Sequence, residues 1–226
     1  MLLNIPNVLD AGKIEECHQA LESAEWSDGK ATAGYLSSRV KNNVQLPEGH
    51  PVARKLGGMI LDALDVNQLF ISAALPLKVL PPLFNRYSGG QSYGGHIDGA
   101  VRPVFGTPHR LRTDLSATLF LSPPETYDGG ELVIEDRFNP RRVKLAAGDM
   151  LLYPGTSVHH VEPVTRGVRI AAFFWIQSMV RDEAKRDILF GLDTALQRLG
   201  RDVANHPSLV EIAGCYHNLL RLWSDT

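Results

Sequence analysis

Two histidines and an aspartate have the residue types and spacing of a metal site. His96 and Asp98 form a His-x-Asp pair, and side chains two residues apart in an extended chain share a face, so one strand could present both to an ion. His159 is a candidate for a third ligand, and its neighbour His160 must face the opposite side of a strand, so alternation allows only one of the two to join the pair. Two imidazoles and one carboxylate leave three octahedral positions open, which suits oxygen activation at non-haem iron(II).

Taken singly, each of these residues has an ordinary interpretation. His96 lies beside glycines, as loop histidines often do, and Asp98 before Gly99 could form a turn. His159 could simply line a strand. The combination, rather than any one residue, favours a metal site.

Arg169 adds a second chemical group. It opens an apolar run, 169–176, in which strand alternation places Arg169, Phe173 and Trp175 on one face, together with Ala171. A buried guanidinium needs a carboxylate partner, because an unpaired charge in an apolar interior is costly. Its planar fork matches the two oxygens of a carboxylate. A dicarboxylic co-substrate that reaches from the metal to Arg169 would meet this need.

The ordered set of motifs resembles the iron(II)/2-oxoglutarate-dependent dioxygenases, in particular the bacterial PKHD-type hydroxylases, which are similar to prolyl 4-hydroxylase domains. The segments that carry the resemblance are 85–99, 128–132, 147–154, 159–161 and 164–169. Each motif is weak alone, but their order is specific, and the likeness extends over nearly the whole chain.

The resemblance implies roles for individual residues. His96, Asp98 and His159 would bind Fe(2+), and Arg169 would bind the distal carboxylate of 2-oxoglutarate. Tyr87 would donate a hydroxyl to the co-substrate, and Tyr93 is a second candidate for that contact. With O2 as the other co-substrate and L-ascorbate as reductant, the enzyme would hydroxylate an unactivated C–H bond and release succinate and CO2. The resemblance leaves two substrates open: a peptidyl residue, or a small molecule linked to iron acquisition.

Two other functions fit parts of the pattern. A barrel enzyme that uses zinc or nickel for hydrolysis or isomerisation would need the same ligands, but it would leave Arg169 without a purpose. A non-catalytic sensor of iron or 2-oxoglutarate could signal through carboxy-terminal helices, although a sensor need not keep open coordination positions.

Short apolar runs between turn residues dominate positions 69–176 and predict a β-sandwich or jelly roll. The resemblance makes this a double-stranded β-helix with the metal at one mouth, so the fold class is mainly β with flanking helices. Strands are predicted at 115–121, 132–134, 143–145 and 150–153, and glycine turns at 128–130 and 147–149. Ser116 and Thr118 share a strand face and are interpreted as ordinary strand residues. The long segment 99–112 is expected to be a loop that acts as a lid.

Helices are predicted at both ends of the chain. The first follows an Asp10 cap, the second follows Pro51 despite the weakening pair Gly57-Gly58, and a third is expected to stop at Gly200. The apolar stripes are Ile14, Cys17 and Leu21; Val52, Leu56, Ile60 and Ala63; Ile188, Leu192, Ala195, Leu196 and Leu199; and Leu209, Ile212, Ala213, Tyr216, Leu219, Leu220 and Trp223. We expect a dioxygenase domain at 1–178 and a helical extension at 179–226 that offers a surface for a homo-oligomer.

Composition limits the remaining possibilities. The net charge of −2 gives no general attraction to nucleic acid or to an anionic membrane, so neither is expected as a partner; arginines and a histidine at 102–112 are interpreted as scattered loop charge. No apolar run approaches the roughly 18–20 residues of a membrane span. Two distant cysteines, Cys17 and Cys215, predict free thiols in a reducing compartment, and without a signal peptide at the amino terminus we expect a cytoplasmic protein.

Overall fold

The computed structural model describes residues 1–136 and 139–225, so Thr226 of the predicted extension lies outside it. The strands, in chain order, are β1 (Leu3–Ile5), β2 (Ser27–Asp28), β3 (Lys41–Asn42), β4 (Val44–Gln45), β5 (Pro76–Val79), β6 (Leu83–Ser88), β7 (Ser92–His96), β8 (Val101–Pro103), β9 (Arg110–Arg112), β10 (Leu115–Phe120), β11 (Asp128–Gly129), β12 (Leu132–Ile134), β13 (Arg141–Val143), β14 (Met150–Pro154), β15 (His159–Val161), β16 (Val164–Arg166) and β17 (Val168–Ser178). The α-helices are α1 (Ala11–Glu22), α2 (Pro51–Asp65), α3 (Gln68–Ala74), α4 (Glu183–Asp202) and α5 (Ser208–Trp223).

Two antiparallel sheets form the body of the fold. The larger has the strand order β1-β14-β10-β17-β6-β4-β2, with β5 also paired to β17, and the smaller has the order β13-β12-β15-β7-β3. Tyr87 and Phe120 of the larger sheet share one buried cluster with Leu132 and Val161 of the smaller sheet. The sheets therefore pack face to face, and the predicted jelly-roll class with flanking helices is confirmed.

The side chains of strand β10 alternate between the core on the helix side of the larger sheet and the space between the two sheets. All six of its residues are buried. Leu115 and Leu119 pack in the core cluster that the larger sheet shares with α1, α2 and α3, whereas Ser116 and Thr118 line a cavity between the sheets. Burial of each such leucine contributes roughly 1.5–3 kcal/mol, so the helix layer holds the sheet that carries the cavity.

Strand β17 repeats this division. Arg169, Phe173 and Trp175 line the cavity, as predicted from alternation, while Ala172 and Ile176 join the core on the helix side. Pairing with β10 on one side and β6 on the other fixes the register of this long strand. The orientation of Arg169 is therefore set by the most constrained strand of the larger sheet.

The two amino-terminal helices agree with their predictions. Asp10 caps α1 by accepting a hydrogen bond from the Lys13 amide at 2.8 Å. Helix α2 runs through the predicted weak point at Gly57-Gly58, because its packing against the sheet outweighs the low helix propensity of glycine. The buried side chains are Ile14, Cys17 and Leu21 in α1, and Ala53, Leu56, Gly57, Ile60 and Leu64 in α2.

Two predictions about the barrel are wrong in detail. The strand expected at 143–145 is β13, which ends at Val143, because pairing of Leu132 with Val143 sets its register. The segment 99–112 is not a plain loop, since β8 and β9 form a hairpin in which Arg102 lies opposite Leu111. Leu111 is only 1% exposed and packs beside Trp175, which anchors the hairpin against the larger sheet. The glycines predicted to turn the chain have positive φ at Gly129, Gly130 and Gly148, although Asp128–Gly129 also pair with β16 as β11.

The carboxy-terminal helices differ from their prediction in orientation. Helix α4 continues past Gly200 to Asp202. Its buried residues are Leu189 and Arg186, whereas Ile188 of the predicted stripe is 53% exposed. The buried Arg186 side chain is paired with backbone, since its Nη1 donates to the carbonyl oxygens of Val180 and Arg181 just before the helix. The stripe predicted for α5 is half-buried, and Tyr216, Leu219, Leu220 and Trp223 pack beside Leu189.

Both cysteines are free thiols, as predicted. Cys17 is buried, which raises its pKa to about 12, and Cys215 is exposed on α5. In the described part of the chain, each helix is too short or too polar to cross a bilayer.

Candidate active site

Antiparallel pairing brings the two candidate histidines together. His96 at the end of β7 lies directly opposite His159 on β15, and their ring centroids are 4.2 Å apart. The register shifts between Tyr93 and His96, so β7 carries one extra residue in this stretch. This β-bulge turns Tyr93 and His96 to one face, where their rings stack at 3.7 Å. A Cβ at Gly94 would lie 2.9 Å from the Cβ of Val40, so the bulge needs glycine there.

Asp98 completes the cluster from outside the strand. Because β7 ends at His96, the prediction that one strand presents both residues is wrong in detail. The Ser116 hydroxyl donates to Asp98 Oδ2 at 2.6 Å, and that oxygen lies 3.8 Å from His159 Nε2. One potential ligand atom from each of His96, Asp98 and His159 lies within 4.8 Å of the other two. The three side chains therefore converge on a single point, as the sequence predicts.

Hydrogen bonds fix the tautomers of both histidines. His96 Nδ1 lies 2.9 Å from the carbonyl oxygen of Gly94, and His159 Nδ1 lies 3.0 Å from that of Ser157. A carbonyl oxygen only accepts, so each Nδ1 carries the proton and each Nε2 presents a lone pair when the ring is neutral. This is the outer-shell arrangement that commonly orients metal-binding histidines.

Electrostatics also favour a cation at this point. Burial, followed by the neighbouring His159, lowers the pKa of His96 to about 4, so its ring is neutral at pH 7. The edge of the Tyr153 ring approaches the His159 ring with centroids 5.1 Å apart, and burial raises the pKa of Tyr153, which keeps it a neutral phenol. The neutral His96 ring, a second imidazole and one carboxylate match the donor set of a divalent metal.

The cluster opens into a cavity of about 1080 Å³ between the sheets, and Arg169 lines its wall. Arg169 is 1% exposed, yet its Nε and Nη1 have no hydrogen-bond partner among the described residues. Its guanidinium lies 5.3 Å from the ring centroid of Tyr87 and 5.4 Å from that of Phe120, which gives partial compensation through cation–π contact. The guanidinium therefore remains available to an anion that enters the cavity.

Other polar groups surround Arg169. Tyr87 lies opposite it in the β6–β17 register and is 1% exposed. Burial outweighs the nearby guanidinium and raises the pKa of Tyr87 to about 12, so its hydroxyl stays protonated and can donate. The Oδ1 atom of Asn85 and the hydroxyl of Tyr127 are buried without a partner in the described structure. We call the region formed by Arg169, Tyr87 and Phe120 the arginine end of the cavity.

Two further cations, Lys41 and Arg102, line the same cavity near Phe173 and Trp175. Lys41 on β3 is 3% exposed, and its ammonium group donates to Gln45 Oε1 at 2.9 Å and Thr32 Oγ1 at 3.2 Å. Arg102 on β8 stacks over Trp175, with its guanidinium carbon 4.0 Å from the ring centroid. We call the region formed by Lys41, Arg102 and Trp175 the lysine end. Arg169 and Trp175 are six residues apart on β17, which corresponds to roughly 20 Å in an extended strand.

The predicted site residues thus share one cavity, but the sequence interpretation missed three residues. Ser116 was interpreted as an ordinary strand residue, although its shared face with Thr118 already placed it towards a buried layer. Arg102 was assigned to scattered loop charge, whereas it is stacked and largely buried. Lys41 carried no recognisable pattern. His160 faces away from the metal cluster, towards Glu135 and Glu162, as alternation predicts.

Comparison with known proteins gives two family matches. Residues 82–177 match the 2OG-Fe(II) oxygenase superfamily, and residues 183–225 match the PKHD-type hydroxylase C-terminal domain.

Curated relatives match over their whole length. The chain is 59% identical to the PKHD-type hydroxylase PiuC of Pseudomonas aeruginosa and 57% identical to a PKHD-type hydroxylase of Bordetella pertussis, in each case over 100% of both chains. Among solved structures, it is similar to a Pseudomonas putida prolyl-4-hydroxylase, with a TM-score of 0.54, 20% identity, and coverage of 78% of this chain and 92% of that one. At that identity the structural likeness supports the fold alone.

Proposed function

The chain belongs to the PKHD-type hydroxylases of the 2OG-Fe(II) oxygenase superfamily, and we propose that His96, Asp98 and His159 hold its iron while Arg169 holds 2-oxoglutarate. It is an iron(II)- and 2-oxoglutarate-dependent dioxygenase. When bound, iron(II) and 2-oxoglutarate supply the oxidising chemistry, in which O2 gives one oxygen atom to a substrate C–H bond and one to succinate, with release of CO2. The protein supplies position, charge and exclusion of water.

One observation carries the residue assignment: a buried guanidinium with unpaired N–H groups lines the same cavity as the three converging ligands. An unpaired charge buried in this way costs several kcal/mol, and a carboxylate that accepts hydrogen bonds from the guanidinium would offset that cost. A dicarboxylate is the simplest ligand that reaches both an ion and Arg169.

The neighbouring residues have positioning roles in this proposal. Ser116 holds the Asp98 carboxylate at one angle by donating to Oδ2, and the carbonyls of Gly94 and Ser157 hold the imidazoles in the metal-binding tautomer. Tyr87 donates its hydroxyl to the carboxylate that Arg169 binds. Each of these groups is buried or half-buried, so little reorganisation is needed when ligands arrive.

The finer aspects of cofactor use and setting are also proposals. L-ascorbate would return the iron to the ferrous state when oxidation proceeds without substrate. A reducing compartment, the cytoplasm, is supported by the two free thiols Cys17 and Cys215. The hairpin β8–β9 would act as the lid over the substrate, supported by its position at the cavity wall.

We keep the proposed division into a dioxygenase domain at 1–178 and a helical extension at 179–226. The two family matches, of which one ends at residue 177 and the other begins at residue 183, support this boundary. The extension would also form a homo-oligomer contact, which the exposed apolar side chains of Val210 and Leu222 on α5 favour.

The assignment is tested by measuring succinate formed from 2-oxoglutarate with and without O2. Wild-type protein with Fe(II) should release succinate only when O2 is present, and Asp98→Ala should not. Asp62→Ala, the same change at an exposed position of α2, is the matched control and should behave as wild type. Succinate release by Asp98→Ala at the wild-type rate would refute the ligand assignment.

A further inference from the structure

The lysine end of the cavity has no role in the binding of iron or 2-oxoglutarate proposed above. Lys41 and Arg102 are both cations that line the cavity, beside the neighbouring rings of Phe173 and Trp175. Arg102 lies near enough to Lys41 to disfavour the charged form of that ammonium group. Burying two like charges together is unfavourable unless an anion lies beside them. Glu48 is the only carboxylate within salt-bridge distance of either cation among the described residues, at 3.9 Å from Arg102, and it is partly exposed.

Both cations keep unused donors. Lys41 uses two of its three ammonium protons, on Gln45 and Thr32, which are neutral groups. The Nε of Arg102 is buried and has no partner among the residues that the structure describes. Stacking on Trp175 holds the plane of the guanidinium against the cavity wall.

The net charge differs between the two ends of the cavity once the metal and the co-substrate are bound. With iron(II) and doubly anionic 2-oxoglutarate bound, their charges cancel those of Asp98 and Arg169. At the lysine end, Lys41 and Arg102 outnumber Glu48. Among the residues that line the cavity, the loaded enzyme therefore retains an excess of positive charge at the lysine end, where a third molecule, the substrate, can bind.

The walls around these cations are apolar and aromatic. The Lys41 ammonium lies 5.3 Å from the ring centroid of Tyr93 and 5.8 Å from that of Phe173. At the cavity mouth, Tyr35 and Leu36 are 76% and 71% exposed, and exposed Val40, Ile97 and Val101 line the same opening. Such a rim favours a substrate with an apolar body as well as a charge.

We propose that Lys41 and Arg102 form the substrate's anion-binding site, and that the substrate is an amphiphilic acid whose anionic oxygen group, such as a carboxylate, lies between them while its apolar body contacts Trp175 and the rim. The inference rests on the function proposed above and adds the substrate class. Ser116 bonds Asp98 and lies opposite Trp175 in the β10–β17 register, so an anion at the lysine end holds the substrate beside the metal cluster.

The test uses protein loaded anaerobically with Fe(II) and saturating 2-oxoglutarate, which occupies Arg169. The charge-transfer absorption of that complex is then followed during titration with 3-phenylpropionate, and separately with its neutral amide. The acid should perturb the absorption and saturate, and the amide should bind at least roughly tenfold more weakly, since a charge-assisted bond is lost. Equal binding of acid and amide, or no binding of the acid, overturns the proposal.

Variants locate the effect. Lys41→Met and Arg102→Gln should each weaken acid binding about tenfold or more, while Lys41→Arg, which keeps the charge, should retain most of it. Lys78→Met and Arg110→Gln are the matched controls at exposed positions on β5 and β9 and should bind the acid as wild type does. Wild-type affinity in Lys41→Met and Arg102→Gln would place the acid elsewhere and refute the site.

Failure of this inference is distinguishable from failure of the proposed function. If wild-type protein gives no charge-transfer absorption with Fe(II) and 2-oxoglutarate, the metal and co-substrate assignment is wrong. If the absorption forms but responds equally to acid and amide, that assignment stands and only the anion site at Lys41 and Arg102 is rejected.

Discussion

The two ends of the cavity are built in different ways. The arginine end lies on β6, β10 and β17, which are long strands paired on both sides in the larger sheet. The lysine end combines part of β17 with the two-residue strand β3, 3-10 turns near Thr32 and Ser37, and the hairpin β8–β9. Long paired strands fix the groups that hold the shared co-substrate, whereas short segments that can change independently hold the groups we assign to the substrate.

The first prediction concerns Arg169. Arg169→Gln should weaken 2-oxoglutarate binding by roughly 100-fold to 4000-fold, because loss of one partner of a buried ion pair costs about 3–5 kcal/mol. Calorimetric titration of the iron-loaded protein measures this. Arg169→Lys keeps the charge but loses the planar guanidinium, so its affinity for 2-oxoglutarate should lie between those of wild type and Arg169→Gln. A change of less than about fivefold in Arg169→Gln would move the co-substrate away from this arginine.

The second prediction concerns Ser116. Removing the hydroxyl that holds Asp98 should weaken iron binding roughly 10-fold to 100-fold, as loss of outer-shell partners does at other metal sites. Competition with a ferrous chelator measures the affinity of Ser116→Ala. Ser23→Ala, an exposed serine after α1, is the matched control. Unchanged iron affinity in Ser116→Ala would show that Asp98 needs no support.

Tyr87 gives a smaller effect at the arginine end. Tyr87→Phe removes one hydrogen bond to the co-substrate carboxylate, and a bond to a charged group contributes about 1.5–3 kcal/mol, so affinity for 2-oxoglutarate should fall about tenfold or somewhat more. Tyr216→Phe on α5 serves as the control and should bind 2-oxoglutarate normally. If Tyr87→Phe binds 2-oxoglutarate as wild type does, the Tyr87 hydroxyl does not bind the co-substrate and the ring only packs in the core.

The smallest effect is a pH dependence at the lysine end. Burial, followed by Arg102, lowers the pKa of Lys41 to about 8, although Asp28 and Asp98 oppose the shift. Lys41 is therefore charged below about pH 8 and neutral above it, so affinity for 3-phenylpropionate should fall several-fold between pH 7 and pH 9, while Arg102 stays charged. Lys41→Arg should abolish this dependence. If the affinity of wild type for 3-phenylpropionate does not change between pH 7 and pH 9, Lys41 does not bind the anion.

The sequence predicted the residues on long paired strands better than those on the short segments of the lysine end. Alternation on β17 predicted the orientation of Arg169, because a long strand with two neighbours keeps its period. The His-x-Asp pair was predicted, but the bulge that aims His96 was not, since glycines beside a histidine look like a loop. Lys41 lies in a strand too short to show a period.

Tertiary contacts explain the other differences. The hairpin β8–β9 depends on Leu111, which reaches the cluster around Trp175, and no local pattern in 99–112 shows that contact. Helix α4 buries Arg186, because its guanidinium donates to the carbonyl oxygens of Val180 and Arg181 just before the helix. In both cases a contact that the apolar pattern does not show decides which residues are buried.

The central claim is that one carboxylate, two imidazoles and one guanidinium serve a single iron and a single 2-oxoglutarate. Anaerobic titration of Fe(II) and 2-oxoglutarate into the wild-type protein tests it most directly. A charge-transfer absorption should appear with one equivalent of each, should be absent in Asp98→Ala, and should require far more 2-oxoglutarate in Arg169→Gln. The same absorption at wild-type ligand concentrations in both variants would contradict the account.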